Sequence, residues 1–405
     1  MDYDEFDLAI YMDLISQVEI EDLAKIEQQP CVSIYIPTVM AGPETRQNSI
    51  RYKNAITEAE EHLEKRGSSD TQVQEILKPA RLLIEDYDFW QNQSEGLAVF
   101  IAADFLRYYR LPHCFTQSSV VSSRFQLKPL LPWFARDRKF YLLALSQNEL
   151  KLFLCDRYGI QEVEDLPDEV PQSLAEALRY DDPQKQLQHH SGDGSGSAAV
   201  YHGQGVGTTD NKEKIKEYCQ KIDSGLQSLF NKESFPLVLA GVEYVVSIYQ
   251  QANSYAHLLS EGVIGNPENI QHQELHQQAL QVIEPRWQAE EQQAIATYQE
   301  SIQLADTTEK ASSQLERIVP AAYNGQVDTL LIAEDWEAWG KFDPQANKVE
   351  RQTSPQTQDI DLIDFAAVHT FLKGGYIYSM PMEKMPTTDK PIAAIFRYPV
   401  AAVTV

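Results

Sequence analysis

Short apolar runs alternate with helical patterns along the whole chain, and this alternation limits the fold more than any other feature. Runs such as "CVSIYIPT" from Cys31, "PLVLAGV" from Pro236 and "VDTLLIAED" from Val327 are short and rich in β-branched residues, so we predict buried strands. Amphipathic patterns follow them, for example "IRYKNAITEAEEHL" from Ile50. Strands that alternate with helices predict an α/β protein.

The length of 405 residues exceeds what one ordinary core accommodates, so we expect two to three domains, and the order of strand and helix patterns divides the chain into three. Residues 1–128 form an N-terminal α/β domain, with a helix over 5–27 and another over 70–86. Residues 129–253 form an RNase H-like middle domain, because three strand patterns in a row precede mixed helix and strand. Residues 254–405 form a C-terminal α/β sandwich. The proline-containing segment "LKPLLPWFARDR" (127–138) is expected to be a linker.

The net charge of −26 disfavours non-specific binding to nucleic acid or anionic lipid. We therefore expect no DNA and no membrane partner, and any RNA contact must use a local basic patch. The acidic start "MDYDEFDLAIYMDLISQ" does not resemble a targeting segment, so we expect a cytoplasmic protein. The four cysteines form no CxxC pair, which argues against a disulfide scaffold or a thiolate zinc site.

Residues 180–210 lack any periodicity and are rich in Gly, Ser, His and Gln, and a loop of about thirty residues is usually functional or disordered. It lacks the GK[ST] and GxGxxG patterns of nucleotide-binding loops. His189, His190, Asp193 and His202 are suitable metal ligands by type, yet a solvated loop is the favoured interpretation. We expect no metal and no cofactor. No GxSxG motif marks a hydrolase, and Asp156 with Glu243 is weak support for a nuclease.

Gln204 is the distinctive polar group of this loop, within "YHGQGVG". A neutral amide cannot act as a general base, but it can position a water molecule, and a backbone N–H between glycines can reach an oxyanion. Glycine also permits close approach of the backbone to a substrate. Such a loop is suited to completing an active site that belongs to another molecule.

Several segments, spread over nearly the whole chain, resemble the bacterial archaeo-eukaryotic release factor-like proteins, relatives of class-one release factors and Pelota. They include "VSIYIPTVMAGPETRQNSIRYKNAITEAEEHL", "PLVLAGVEYVVSIYQQANSYAHLLSEGVIGNPE", "VDTLLIAEDWEAWGKFDP" and "LKGGYIYSMPMEKMP". The resemblance implies three domains, of which the middle one enters the ribosomal peptidyl-transferase centre. It also implies that a Gly-Gly-Gln tip places a water on the ester of peptidyl-tRNA.

Carried over by position, Gly203 and Gln204 match the second and third residues of that tip. His202 stands at the first position, and an additional Gly205 follows the glutamine. The loop "VMAGPET" shows no match to the family's codon-reading motif. Lys212, Lys214 and Lys216, with Lys221, form a local basic stretch after the loop, and Arg136 and Arg138 lie near the predicted hinge. These are candidate RNA contacts, but Glu213 and Glu217 alternate with the lysines, so an ordinary solvated helix face is an equal alternative.

Three functions stay open at this point. The first is a peptidyl-tRNA hydrolase that acts on stalled ribosomes through Gly203 and Gln204. The second is a non-catalytic stress or hibernation factor that occupies the ribosomal A site, which His202 and the missing codon-reading motif favour. The third is a module that binds a protein partner away from the ribosome, which the net charge of −26 favours.

Overall fold

The computed structural model describes residues 15–27, 30–134, 139–179, 206–304, 309–353, 355–356, 358–387 and 389–400. Contacts divide the chain into two compact units: Met1–Ala135 together with Glu290–Val405, and Arg136–Ala289. The structure is a mixed α/β protein with several sheets. The three-domain division at 128 and 253 stays a prediction.

The N-terminal part of the first unit is a four-stranded antiparallel sheet in the order β3-β2-β1-β4. Helices α2 and α3 cover one face, because α2 turns an apolar stripe that includes Tyr52, Ala59 and Leu63 toward the sheet. Helix α3 begins with a capping box between Ser69 and Gln72. The elements are α1 Gln17–Lys25, β1 Cys31–Pro37, α2 Arg46–Lys65, α3 Asp70–Leu82, α4 Tyr87–Gln91, β2 Gly96–Ala102, β3 Phe105–Leu111 and β4 Ser118–Ser122.

The C-terminal part of the same unit contains a four-stranded sheet, β10-β16-β11-β15, in which β11 and β15 are parallel, and a small sheet, β13-β12-β14. The face of the N-terminal sheet that is opposite α2 and α3 shares one hydrophobic core with the C-terminal part. This core includes Phe100, Leu330 and Ala366. The elements are β10 Ala311–Ser312, α9 Leu315–Tyr323, β11 Val327–Ala333, β12 Trp339–Asp343, β13 Lys348–Arg351, β14 Ile360–Asp361, α10 Leu362–Leu372, β15 Tyr376–Met380 and β16 Ile392–Phe396.

The second unit contains a five-stranded mixed sheet in the order β7-β6-β5-β8-β9. Strands β5, β6 and β7 are antiparallel, whereas β8 and β9 continue parallel to β5. Helices α6 and α7 pack on one face, and the first half of α8 packs on the other through Leu275, Ile283 and Trp287. The elements are β5 Phe140–Leu145, β6 Leu150–Cys155, β7 Ile160–Glu162, α5 Leu174–Arg179, α6 Val206–Phe230, β8 Leu237–Gly241, α7 Glu243–Ala252, β9 Val263–Ile264 and α8 His272–Gln303.

The segment expected to be a linker is different in the structure. Residues Lys128–Phe134 form a 3-10 helix, and Leu127, Leu130 and Leu131 are buried in the core of the first unit. The two prolines favour a linker, but burial of the three leucines in the core stabilises the folded protein, because it removes their apolar surface from water.

The helix expected over 5–27 begins at Gln17 in the described part, and 1–14 lie outside it. The helix expected over 70–86 ends at Leu82 and continues as a 3-10 turn.

No helix within the described ranges is long and apolar enough to cross a lipid bilayer.

Candidate functional site

The predicted catalytic residues His202, Gly203, Gln204 and Gly205 lie outside the residues that the structure describes, and so do Arg136 and Arg138. What the structure shows is the pair of elements that flank residues 180–205. Helix α5 ends at Arg179 before them, and helix α6 begins at Val206, two residues after Gln204, so the prediction that the loop extends to residue 210 is wrong for 206–210, which are helical. We call these two flanking helices, α5 and α6, the root of the candidate loop. The structure describes the candidate site through the geometry of this root.

Helix α6 is fixed to the second unit by an apolar stripe. Ile215, Tyr218, Ile222 and Leu226 recur at helical spacing and are buried at 2% exposure or less. They pack with the inner faces of β5, β6 and β8 in one hydrophobic cluster. The packed part of α6 thus begins at Ile215, eleven positions after Gln204 in the sequence.

A hydrogen bond joins the two flanking helices. The Nζ atom of Lys221 on α6 donates to the carbonyl oxygen of Ala177 on α5 over 2.7 Å. Ala177 lies in the last turn of α5, where carbonyl groups lack partners inside the helix. Lys221 also pairs with Glu217 at 3.2 Å. Since a cation at a helix C-terminus is stabilising, this contact holds the end of α5 against α6.

A second close approach lies farther along α6. A Cβ atom placed on Gly225 would lie 2.7 Å from Cγ2 of Val170 and 3.2 Å from its backbone nitrogen. Glycine at this position therefore lets the segment that leads into α5 pack directly on α6. Val170 itself is buried in the same cluster as the α6 stripe.

The predicted RNA-binding lysines of α6 are all exposed, but they do not share one face. Lys212 and Lys216 are four residues apart and lie on one flank. Lys214 lies across the helix from Lys216, because two residues turn the helix by about 200°. Lys221, which the sequence grouped with them, is engaged with Ala177 and Glu217. An RNA-binding role for Lys212, Lys214 and Lys216 stays a prediction.

The nucleophiles near this root are not ionised. Burial raises the pKa of the Cys219 thiol on α6 to about 12, so it is not a thiolate at neutral pH. Burial also raises the pKa of Tyr218 and of Tyr249, whose hydroxyl groups have no hydrogen-bond partner among the described residues. These groups pack as part of the core and offer no base or nucleophile for chemistry.

The carboxylates considered for a nuclease have structural or solvent-facing positions. Asp156 Oδ1 accepts hydrogen bonds from the backbone of Tyr158 and Gly159 at 2.8 and 2.9 Å, which closes the turn between β6 and β7. Glu243 is exposed in the first turn of α7. Within the described part of the chain, no three His, Cys, Asp or Glu side chains come together as a metal site. His189, His190, Asp193 and His202 lie outside that part.

The first unit contains a buried acidic pair that the sequence analysis missed. Asp364 Oδ1 accepts hydrogen bonds from the backbone N–H groups of Leu127, at 2.7 Å, and Lys128. Asp361 Oδ1 accepts from the N–H groups of Ala338 and Ile363 at 3.0 Å each. The Lys128 amine lies 3.8 Å from Asp361 Oδ2. The two aspartates thus fix the chain where it leaves the N-terminal sheet.

The surroundings of this pair favour the protonated form. Burial, and secondarily the Asp361 carboxylate, raise the pKa of Asp364 to about 7. Burial also raises the pKa of Asp361, although the Lys128 amine opposes that shift. The sequence signal for this pair is an aspartate within the apolar run "LIDFAAV". An apolar run indicates a buried helix, and a charge inside such a helix requires hydrogen-bond partners.

Comparison with known proteins gives one family match. Residues 140–285 match the bacterial archaeo-eukaryotic release factor family 7. This range extends from β5 into α8 and includes the candidate loop with both flanking helices. The sequence-based prediction of this relationship is confirmed, and the chain is release-factor-like over that range. No curated protein matches the sequence.

Several solved structures are similar over most of the chain, with low TM-scores. The archaeal translation termination factor aRF1 is 14% identical, with 95% of this chain and 99% of that chain covered and a TM-score of 0.23. Dom34 of S. cerevisiae, a translation termination-like factor, is 12% identical, with 76% and 74% covered and a TM-score of 0.34. Ribosome-bound archaeal Pelota is 9% identical, with 76% and 78% covered and a TM-score of 0.36.

Proposed function

We propose, from the premise that residues 140–285 belong to the bacterial archaeo-eukaryotic release factor family 7, that this protein binds the ribosome and hydrolyses the ester of peptidyl-tRNA during ribosome rescue. In this proposal, Gln204 positions the attacking water, and the backbone at Gly203 and Gly205 approaches the ester closely. His202 occupies the first position of the tip.

One observation carries the proposal. The matched range includes both helices that flank the loop, and the Lys221–Ala177 hydrogen bond ties these helices together. A loop that completes another molecule's active site needs a fixed root, because a displacement of about 1 Å at the reacting atoms costs roughly 100-fold in rate. The packed stripe of α6, which begins at Ile215, eleven positions after Gln204 in the sequence, provides such a root.

We further propose that the middle part of the chain is RNase H-like. The strand order β7-β6-β5-β8-β9, with three antiparallel strands followed by two parallel ones, supports this proposal. The sequence pattern of three consecutive strands before mixed helix and strand supports it independently.

The test is peptide release from purified ribosomes that carry peptidyl-tRNA in the P site. The parent protein is expected to release peptide, and Gln204→Ala is expected to bind ribosomes equally well and to release peptide far more slowly. Co-sedimentation with ribosomes over a salt series provides the binding control. Equal release by the parent and Gln204→Ala would refute the hydrolytic proposal.

Non-catalytic occupation of the A site is the second candidate, and His202 in place of a glycine favours it. Histidine has a Cβ atom, which disfavours positive φ at that position. This candidate predicts co-sedimentation with ribosomes and no peptide release by the parent protein. Off-ribosome protein binding, which the net charge of −26 favours, instead predicts no co-sedimentation even at low salt.

A further inference from the structure

A groove of about 480 Å³ lies between α6 and α7 of the second unit. Its lining includes two apolar side chains, Ile215 and Ile248, which are 2% and 5% exposed. This volume is within the range of small-ligand sites, about 300–1,000 Å³. The residues from α6 begin at Asn211, seven positions after Gln204, so the groove lies beside the root of the candidate loop.

Polar side chains form the rest of the lining. From α7 come Ser247 and Gln251, four residues apart and therefore on one face of the helix. From α6 come Asn211 and Lys212, both exposed. Amide and hydroxyl groups both donate and accept hydrogen bonds, so this lining is suited to a ligand with a mixed pattern of donors and acceptors.

An aromatic ring stands at the same groove. Tyr244 is 49% exposed, and its hydroxyl group accepts a hydrogen bond from the side-chain amide of Gln147 in the turn between β5 and β6. The hydrogen bond restrains a ring that would otherwise change rotamer freely. A restrained, half-exposed aromatic ring is a stacking surface, and stacking of a base on such a ring contributes about 1–3 kcal/mol.

The charges of the groove restrict the ligand further. Lys212 is its basic side chain and Glu243 its acidic one, so its net charge is close to zero. A nucleic-acid duplex or a long strand would need many phosphate contacts, which one lysine cannot supply. A single nucleotide needs one phosphate contact together with stacking and hydrogen bonds to the base.

We propose that the α6–α7 groove binds one unstacked nucleotide of single-stranded RNA. The base stacks on Tyr244, the amide and hydroxyl groups of Gln251 and Ser247 bond its edge, and Lys212 contacts the adjoining phosphate. The inference deepens the proposed function, on which it rests, because an RNA substrate near Gln204 would present single-stranded nucleotides to this groove.

The test is fluorescence anisotropy of the full chain with a fluorescein-labelled oligoadenylate RNA, in the absence of ribosomes. Tyr244→Ala is expected to weaken binding by about 5- to 150-fold, which is the stacking contribution expressed as an affinity ratio. Tyr244→Phe keeps the ring and is expected to retain most of the affinity. The matched control is Tyr87→Ala, which removes an exposed tyrosine, 73% accessible, from the first unit.

The salt dependence supplies an independent readout. One phosphate contact predicts a slope of about −0.7 in a plot of log affinity against log salt, and Lys212→Met is expected to bring it near zero. Lys232→Met, at an exposed lysine just after the end of α6, is expected to leave it unchanged. No measurable RNA binding by the parent, or binding that Tyr244→Ala leaves unaltered, would overturn the inference.

The same assay separates this inference from the proposed function. Gln204→Ala is expected to bind the oligonucleotide like the parent protein, because the proposed contacts come from Lys212, Tyr244, Ser247 and Gln251. Loss of peptide release in Gln204→Ala with no oligonucleotide binding by the parent would keep the proposed function and reject the nucleotide site. Oligonucleotide binding that depends on Tyr244, without peptide release by the parent, would keep the nucleotide site and reject the hydrolytic function.

Discussion

The side-chain amine of Lys221 donates a hydrogen bond to the carbonyl oxygen of Ala177, which joins the last turn of α5 to the middle of α6. Residues 180–205, including Gln204, connect these two helices in the sequence. The contact therefore holds the last turn of α5 against α6 at Lys221, fifteen positions after α6 begins at Val206.

Replacement of Lys221 by Met should loosen α5. The lysine side chain is 29% exposed, so loss of its charged hydrogen bond should cost about 1 kcal/mol of the free energy of unfolding. Hydrogen–deuterium exchange should become faster at the backbone amides of 174–179 and stay slow in β5. Lys216→Met, which removes an exposed lysine from the same helix, is the control and should alter neither quantity. Equal exchange in Lys221→Met and the parent would show that the contact does not hold α5.

Gly225→Ala should destabilise the second unit, although alanine normally favours a helix by about 1 kcal/mol. The new methyl group would lie 2.7 Å from Val170 Cγ2, so the segment before α5 must move away from α6. Overpacking of this kind costs about 1–3 kcal/mol. Urea unfolding followed by far-ultraviolet circular dichroism measures the difference. Ser224→Ala, an exposed change on the same helix, should be neutral or slightly stabilising, and a stabilised Gly225→Ala would contradict the packing described here.

Asn48→Ala should destabilise the N-terminal sheet at the loop that follows β1. Asn48 is fully buried, and its amide bonds both backbone groups of Val39, with distances of 3.0 Å to the nitrogen and 2.8 Å to the oxygen. Loss of the amide leaves two backbone groups without these partners, at a cost of about 1–3 kcal/mol. Thermal unfolding of the variant is the measurement. Asn54→Ala, at an exposed position of the same helix, is the matched control and should unfold at nearly the parental temperature.

Asp364→Asn should change how stability depends on pH. The pKa of Asp364 is raised from 3.8 to about 7, so the folded state retains a proton that the unfolded state has already lost between these two values. Folding stability due to this group therefore decreases as pH rises through that window, and is lost above about pH 7. Asparagine does not ionise, and its oxygen can still accept from the N–H groups of Leu127 and Lys128.

The measurement for Asp364→Asn is the urea midpoint of both proteins from mildly acidic to mildly alkaline pH. The variant should gain stability relative to the parent as pH rises, because only the parent then carries a buried carboxylate beside Asp361. Asp88→Asn, at an exposed aspartate of α4, provides the control and should show no such trend. A difference between variant and parent that is constant over the whole range would contradict the raised pKa.

Periodicity predicted most of the regular elements. The run "EYVVSIYQQA" is helix α7, "GLAVFIA" is strand β2, and the glycines after Leu372 end α10, where Gly374 has a φ of 70°. Local patterns succeed here because helix and strand differ in how often a side chain returns to the same face. The family relationship was also readable from the sequence, and residues 140–285 confirm it.

Other features depend on contacts between distant parts of the chain. The segment 127–134 reads as a linker, but its leucines are buried among residues from β11 and α10. Lys221 reads as one lysine of a basic stretch, but Ala177, 44 positions earlier, accepts its hydrogen bond. Asp364 reads as a charge in an apolar helix, and its partners are 236 and 237 positions away. No local pattern contains this information.

The sequence by itself determined the alternation of strands and helices, the family whose model the middle part matches, and the residue types of the candidate tip at 202–205. Only the tertiary structure decided which lysine contacts the end of α5, which lysines lie on opposite flanks of α6, and where a groove opens beside Tyr244. The reason is physical: periodicity and residue type act over a few neighbouring positions, whereas burial, hydrogen-bond partners and pKa values depend on groups that folding brings together from far apart in the chain.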